Sequence, residues 1–497
     1  MTLDIHWMSL AAIVSLYLIS LVFYRLYLHP LARFPGPKLA AATGWYETCI
    51  DLWPSKGGMF METITKMHDK YVGPIVRINP HEIHVRDSTW LTTLYTGSSS
   101  GKRNKYAPFA NVGGTPKATF GTVAYDLHRL RRAAINPLYS KSAVAGAAPM
   151  IYDHTELLLS LLDQQIARDG YTEMRKNYLA FTTENISVYA LGQSSTLLEN
   201  ETKAFQWRES IKAQAEWTLL ARNFSWVTSL VLKMPVVLLE ITLPNFSRIV
   251  GSHRDAAKVE GPRDIFQTIL SNNNIPLSEK ASDRMSQEAF VSLSAGGETL
   301  ARTMATATYF LLSNKNTVLL RLEEELKTVM PNPSSRPPLK ELERLPWLTA
   351  VIKESLRIMA LFTSRLPILS PDKPLQYKDW VIPAGTPVSM TIRDVLLDPN
   401  IYEDPSEFRP ERWLSTNPDI EKLNQHFIPF SRGNRICAGM HLAYAELYIL
   451  VASLFRRRKL ELFDTIRERD IESVRDCFIG ETSPSSKGVR VKYTEAT

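Results

Sequence analysis

Apolar and polar positions alternate along this chain with several distinct periods. From Trp7 to Tyr24 no charged residue occurs. Those 18 residues would make a helix about 27 Å long, just enough to cross a hydrocarbon core of about 30 Å. Ile75-Val76-Arg77-Ile78 and Glu82-Ile83-His84-Val85 read as two strands around an Asn79-Pro80 turn. Residues 97 to 121 are rich in Gly, Ser, Pro and Asn and read as a long loop. Helical period appears over Asp126 to Ile135, dominates residues 150 to 325, and runs unbroken from about Arg284 to Asn314. Leu375 to Ile392 alternates around Pro383-Ala384-Gly385, which predicts a hairpin there. Asp398 to Arg412 has no period, and Met440 to Phe455 is apolar for about four helical turns. The pattern predicts a mainly α protein with a small β region behind an N-terminal transmembrane helix. It shows no internal repeat.

The flanks of the first segment give its orientation. Arg25, His29, Arg33 and Lys38 follow it, whereas only Asp4 and His6 precede it. Positive charge stays on the cytosolic side, so the bulk of the chain is expected in the cytosol. A secretory signal would need a small-residue cleavage site, and Tyr24-Arg25-Leu26-Tyr27-Leu28 stands there instead. Pro35-Gly36-Pro37 then forms a stiff, non-helical turn. The expected division is an anchor over 1–29 and a globular domain over 30–497.

Composition narrows the class. Of 497 residues, 44% are apolar and 22% charged, enough for a substantial core. Cys49, Cys437 and Cys477 are too few for a disulfide framework and too far apart for a zinc site. The net charge of +7 is dispersed and no nucleic-acid motif occurs, which favours a membrane and an acidic protein partner. Four glycosylation sequons, at Asn185, Asn200, Asn223 and Asn245, are expected to stay unmodified in a cytosolic domain.

One cysteine stands out by its surroundings. Cys437 lies between Gly433 and Gly439, just ahead of the apolar run from Met440. A lone cysteine is usually an inert buried residue. At a helix N-terminus, however, partial positive charge favours an anion and eases ionisation of a thiol. Arg435 adds a cation two residues away. These are properties of a thiolate metal ligand.

Four stretches together carry a resemblance. Phe430-Ser431-Arg432-Gly433-Asn434-Arg435-Ile436-Cys437-Ala438-Gly439 matches the pattern Phe-x-x-Gly-x-Arg-x-Cys-x-Gly. Ala295-Gly296-Gly297-Glu298-Thr299 lies inside the longest helical run. Glu354-Ser355-Leu356-Arg357 is followed by Phe408-Arg409-Pro410-Glu411-Arg412-Trp413. His128 and Arg132 stand one turn apart in a basic helix. In this order over residues 30 to 497, the stretches resemble the cytochrome P-450 family, and most closely its microsomal, filamentous-fungal members.

The resemblance implies haem b with Cys437 as axial iron ligand, a thiolate that favours O–O cleavage. It places Phe430 and Gly439 against the haem, and gives the propionates to Arg132, Arg435 and His128. The family's usual tryptophan is absent at the His128 position. Related sequences often carry an arginine for a propionate where this chain has Ile368 (Arg365-Leu366-Pro367-Ile368), which leaves Arg365 as a substitute. Ala295 and Gly296 would open an oxygen-binding groove. Thr299 would bond the carbonyl of Ala295, and with Glu298 would relay protons to dioxygen. Glu354, Arg357 and Arg412 would form a structural triad.

The resemblance further implies a monooxygenase fed by NADPH through a cytochrome P-450 reductase, with cytochrome b5 as a second donor, on the endoplasmic reticulum membrane. The alternatives are an enzyme of the same fold that rearranges or dehydrates without dioxygen, and a non-catalytic haem sensor. Phe109, Val112, Val291, Leu293, Leu361, Phe362, Phe478 and Ile479 suggest a pocket for a lipophilic small molecule, with a terpenoid favoured over a polyketide or alkaloid. Trp226 to Phe246 would line the substrate's access and dip into the membrane. Arg456-Arg457-Arg458-Lys459 would match the helix dipole or help dock an acidic reductase.

Overall fold

The computed structural model describes residues 2–53, 57–97, 101–110, 112–231 and 265–494. Most of the region Trp226 to Phe246, and Asn245 with it, lies outside them.

Helix α1 (Thr2–Phe23) continues through a π-turn, Tyr24–Leu28. From His6 to Leu28 it is apolar enough to cross a membrane, and its apolar window is not buried against the rest of the fold. Among the described residues it is the single helix that meets this condition. The join to the body is firm. Arg25 donates from Nη1 to the carbonyl of Ala42 at 2.9 Å, and Arg77 donates from Nη1 to the carbonyl of Arg25 at 2.9 Å. Gly36 lies flat on Arg77, where a Cβ would strike the Arg77 carbonyl oxygen.

The body is built on seven long helices: α2 (Tyr125–Ile135), α3 (Ala148–Asp169), α4 (Met174–Leu191), α5 (Glu201–Asn223), α6 (Ser282–Ser313), α7 (Pro346–Met359) and α8 (Met440–Arg457). Their ends follow from local chemistry. Glu173 caps α4 by accepting from the amides of Arg175 and Lys176, and Asn200 caps α5 through the amide of Lys203. Gly170 and Gly192 stop α3 and α4 in the left-handed region. α7 opens on Pro346, and Glu325 accepts from its first free amides, Trp347 and Leu348, at 2.8 Å each. One core of Leu, Ile, Val and aromatic side chains runs between α3, α4, α6, α7 and α8. Ile151, Leu348 and Ile449 are fully removed from solvent in it. Burying side chains of this kind supplies about 2 kcal/mol each.

The β region is small and lies to one side. β1 (Ile75–Arg77) and β2 (Ile83–Val85) pair antiparallel around the expected turn. β3 (Asn104–Lys105) is a short strand inside the stretch expected to be loop, followed by a helical turn at Ala107–Ala110. β4 is Thr172–Glu173 and β5 is Ile368–Leu369. The hairpin is β6 (Leu375–Tyr377) with β7 (Trp380–Ile382), and it turns at Lys378-Asp379 rather than at Pro383-Ala384-Gly385. Lys378 takes a left-handed φ of 49° to make that turn. Pro383 to Gly385 instead swings the chain into β8 (Val388–Ser389), with the Gly385 amide on Ser370. The main sheet runs β1-β2-β8-β5-β3. β9 (Leu460–Leu462) and β12 (Arg490–Tyr493) pair beside β4, and β10 (Arg475–Cys477) pairs with β11 (Ile479–Glu481).

The basic run after α8 is committed inside the fold. Arg456 donates to the carbonyls of Met330 and Pro331, Arg457 pairs with Glu156, Arg458 with Asp163 and Lys459 with Glu323. That accounts for its charges without a docking partner. Asn185, one of the sequons, is fully buried.

Candidate functional site

Cys437 sits where the sequence places it, on the loop that leads into α8. Gly433 has a φ of 75°, and a Cβ there would lie 2.7 Å from the carbonyl oxygen of Tyr95, so only glycine fits. The amide of Cys437 donates to the carbonyl of Phe430 at 2.9 Å and closes the loop. The thiol opens onto a cavity of about 580 Å³. Ala295 and Thr299 of α6, Phe430 and Gly439 line the same space. The expected easy ionisation is not a property of the protein alone. Burial pushes the Cys437 thiol up, while the Gly439 amide and Arg132 act the other way. A coordinated metal ion reverses that balance, because a ligating thiol gives up its proton.

The cations of one cavity end come from three elements: the Cys437 loop, α2 and β3. Arg435 reaches the carbonyls of Thr122 at 2.7 Å and Val123 at 2.8 Å. Arg132 donates to Asn136 at 2.6 Å and to the carbonyl of Ile436 at 2.9 Å. His128 is buried, and burial with the positive charge of Arg435 lowers it to about 3. Lys105 of β3 lies against them. Arg365 does not join this group. Its Nε donates to Glu82 at 2.8 Å and its Nη2 to Glu47 at 2.5 Å, which holds it under the β sheet with only Nη1 unpaired.

These residues fit a haem. Among the described residues, no carboxylate pairs with Arg132, Arg435 or Lys105. The Nε of Arg435 is buried without a partner. A buried N–H is costly without an acceptor, and a haem propionate would supply one. Gly439 faces open space where a Cβ would intrude.

Helix α6 presents Val291, Ala295 and Thr299 to the cavity, four residues apart on one face. The hydroxyl of Thr299 donates to the carbonyl of Ala295 at 2.8 Å, as expected. Leu293, two positions round the helix, packs into the core instead of the pocket. The glycine pair has a packing task as well. Gly296 and Gly297 press on α4, where added Cβ atoms would lie 3.0 Å from Ile186 and 2.7 Å from the Thr183 hydroxyl. They let two long helices approach closely, and the Thr182 hydroxyl bonds the carbonyl of Gly297 at 2.8 Å. Backbone at Ala295 and Gly296 still borders the cavity.

Glu298 is buried beside Thr299, and its carboxylate is taken by Arg175 of α4. Glu481 meets the same guanidinium at 3.4 Å and Arg302 at 3.2 Å. Behind the cavity, Glu354 binds Arg357 at 2.7 Å and Arg412 at 3.1 Å, all three buried. Trp413 adds an indole N–H at 2.8 Å. The outer wall is aromatic. Phe478 holds a left-handed φ of 79° at the tip of the β10–β11 hairpin, within 6 Å of the rings of Phe120 and Phe362. Strain of this kind is kept where a side chain must be aimed.

Three wall residues carry no sequence signal: Lys105, Arg175 and Glu481. Arg175 and Glu481 are drawn inward by partners far along the chain, and Lys105 by the carbonyl of Phe120.

Comparison with known proteins agrees with this geometry. The family model described as "Cytochrome P450" matches residues 43–480. A cytochrome P450 monooxygenase of Sordaria araneosa is 36% identical, with 98% of each chain aligned. A tryptophan 6-hydroxylase of Fusarium equiseti is 38% identical over 95% of this chain and 94% of its own. The stellatic acid synthase of Emericella variicolor is 35% identical over 97% and 94%.

Proposed function

The chain belongs to the cytochrome P450 family, and on that premise we propose that Cys437 holds a haem iron for oxygen insertion into a lipophilic secondary metabolite. The enzyme is a monooxygenase, an oxidoreductase that incorporates oxygen from dioxygen. The observation that carries the site assignment is Cys437 facing Ala295 and Thr299 across one cavity. Haem, when bound, supplies the iron at which dioxygen is taken up, reduced and split.

The chain's own residues do the rest. Arg132, Arg435 and His128 orient the cofactor through its propionates, and Phe430 and Gly439 border the thiolate. Thr299, tied to the carbonyl of Ala295, holds a hydroxyl over the reaction space. Glu298 connects that hydroxyl with bulk water when its pair with Arg175 opens. Aromatic groups at Phe109, Phe362 and Phe478 exclude water from the substrate. A buried Glu354–Arg357–Arg412 triad keeps the Cys437 side of the core rigid.

The substrate class we favour is a terpenoid. The names of the relatives, a tryptophan 6-hydroxylase and a stellatic acid synthase, show unlike products at similar identity. Electrons come from NADPH through a reductase, with cytochrome b5 as a second donor. Residues 1–29 anchor the catalytic domain, 30–497, to the cytosolic face of the endoplasmic reticulum.

The test has two parts. Cys437→Ser is expected to abolish the red-shifted Soret band of the ferrous carbon monoxide complex; a retained band would remove Cys437 from the iron. Product formation is expected to need NADPH, reductase and dioxygen together. Turnover without them would replace this reading by rearrangement.

A further inference from the structure

Phe478 holds a left-handed backbone on the cavity wall, and the side chain two residues before it keeps it there. Asp476 accepts from the Phe478 amide at 3.0 Å through Oδ1. The same oxygen accepts from the hydroxyls of Thr363 at 2.9 Å and Ser364 at 2.7 Å. Those two residues directly follow Leu361 and Phe362, which line the cavity as Phe478 does. One carboxylate oxygen therefore joins two wall segments that lie far apart in sequence. The amide of Gly480 donates to the carbonyl of Leu361 at 3.0 Å and closes the join. The rings of Phe362 and Phe478 meet edge to face with their centres 5.6 Å apart.

The second carboxylate oxygen faces α5. Arg222, in the last turn of that helix, donates from Nη1 to Oδ2 of Asp476 at 2.7 Å and to the Ser364 hydroxyl at 2.9 Å. Its Nε and Nη2 grip Asp51 of the short helix Trp45–Leu52 at 2.8 and 2.7 Å. Arg222, Asp51, Asp476, Thr363 and Ser364 are all buried. A buried ionic array of this kind is weak evidence for stability, because desolvation offsets the attraction. Where its bonds end is more telling. Oδ1 of Asp476 spends all three of its contacts on the wall, and one of them holds a strained residue. The helix that carries Arg222 borders the same cavity through Ile211, Ala215 and Thr218.

We infer that Asp476 is a positioning residue for the substrate: it fixes Phe362 and Phe478 as one aromatic wall and, through Arg222, ties that wall to α5. This rests on the reading of the cavity as the substrate site. Asp476 acts through the rings, so it discriminates among ligands large enough to meet them and is indifferent to small ligands at the iron.

The experiment uses the full chain in detergent, loaded with haem. The probes are imidazole and clotrimazole, two azoles whose binding at haem iron shifts the Soret band; the second adds three aromatic rings. Asp476→Ala is expected to weaken clotrimazole about fivefold, the scale of one aromatic contact, and to leave imidazole unchanged. In a Phe478→Ala background the same substitution is expected to cost less than half as much, because the ring it aims is gone. Equal weakening of both azoles overturns the inference, since that is general damage, and so do unchanged affinities or full additivity with Phe478→Ala. Should Asp476→Ala lose its haem, Asp476→Asn is read in its place, with a smaller effect expected in the same direction. A fluorine label on the ring of Phe478 gives a reading that needs no haem. Its resonance is expected to be single and narrow in the wild type, and broadened or split in the Asp476 variant. An unchanged line, or one collapsed to that of the urea-unfolded chain, overturns the inference. A wild type with no Soret response to either azole would overturn the haem reading instead, and the fluorine line would then decide the positioning by itself.

Discussion

The carboxylate of Glu298 is held by Arg175, whose Nε donates to Oε1 at 2.9 Å. The acid beside Thr299 is thus locked to the neighbouring helix and shares its cation with Glu481. Arg175→Met would strip the buried Glu298 of its paired cation and leave Glu481 with Arg302 and the more distant Arg475. The expected cost is about 3–5 kcal/mol, read from urea unfolding. Adding Glu298→Gln to that variant should restore a measurable part, because the stranded charge is gone. Full additivity of the two changes would show that the pair does not interact.

Thr299→Ala removes the hydroxyl that bonds the Ala295 carbonyl. The haem spectrum should persist and NADPH should still be consumed. Hydrogen peroxide should rise as product per NADPH falls. Unaltered coupling would place the proton path elsewhere.

Gly297→Ala sets two effects against each other. Alanine improves helix propensity by about 1 kcal/mol. The new Cβ would lie 2.7 Å from the Thr183 hydroxyl and 3.3 Å from Leu179, and overpacking costs about 1–3 kcal/mol. Net destabilisation is expected on thermal unfolding. Thr183→Ala should relieve much of it, and a stabilised Gly297→Ala would show that α4 yields freely.

Truncation should separate the anchor from its socket. Removal of residues 1–23 is expected to weaken membrane attachment and spare stability. Removal of residues 1–28 also takes Arg25, whose carbonyl accepts from the buried Arg77. The longer truncation should therefore lower the melting temperature as well. Equal melting temperatures for the two forms would mean that Arg77 finds another acceptor.

Stability should fall on mild acidification. His68 and His84 are buried in contact, ring nitrogen to ring nitrogen at 2.8 Å, and His84 also meets the Thr391 hydroxyl at 3.0 Å. Burial lowers His68 from 6.5 to about 4 and also takes His84 well below its ordinary value. The unfolded chain binds these protons first, so stability is whole above pH 6.5 and declines from there toward pH 4. A melting temperature that stays level from pH 7 to 5 would refute this. His68→Gln should flatten the decline.

The residues legible in the sequence are those whose meaning is local. The Cys437 loop, the Thr299 turn and the Glu354–Arg357 spacing each occupy a few consecutive positions, and backbone geometry fixes what they can do. Partner choice across the chain is another matter. Arg365 could have reached a propionate, but Glu82, far away in sequence, claims it. The Gly296-Gly297 pair reads equally as groove or as packing surface until α4 is set beside it. The hairpin turned one step early because Lys378 accepts a positive φ that the pattern assigns to glycine.

The grip of Arg77 on the last turn of the anchor makes helix and body one lever. In a bilayer, a helix adjusts its tilt to the thickness of the hydrocarbon layer. A body joined by a slack tether would ignore that adjustment. Here the carbonyl of Arg25 is fastened to the sheet, so a tilt of α1 in a bilayer would be passed on to the body. Bilayer thickness would then bear on how deep the body rides at the water boundary, and lipid composition on how readily an oily molecule reaches Cys437.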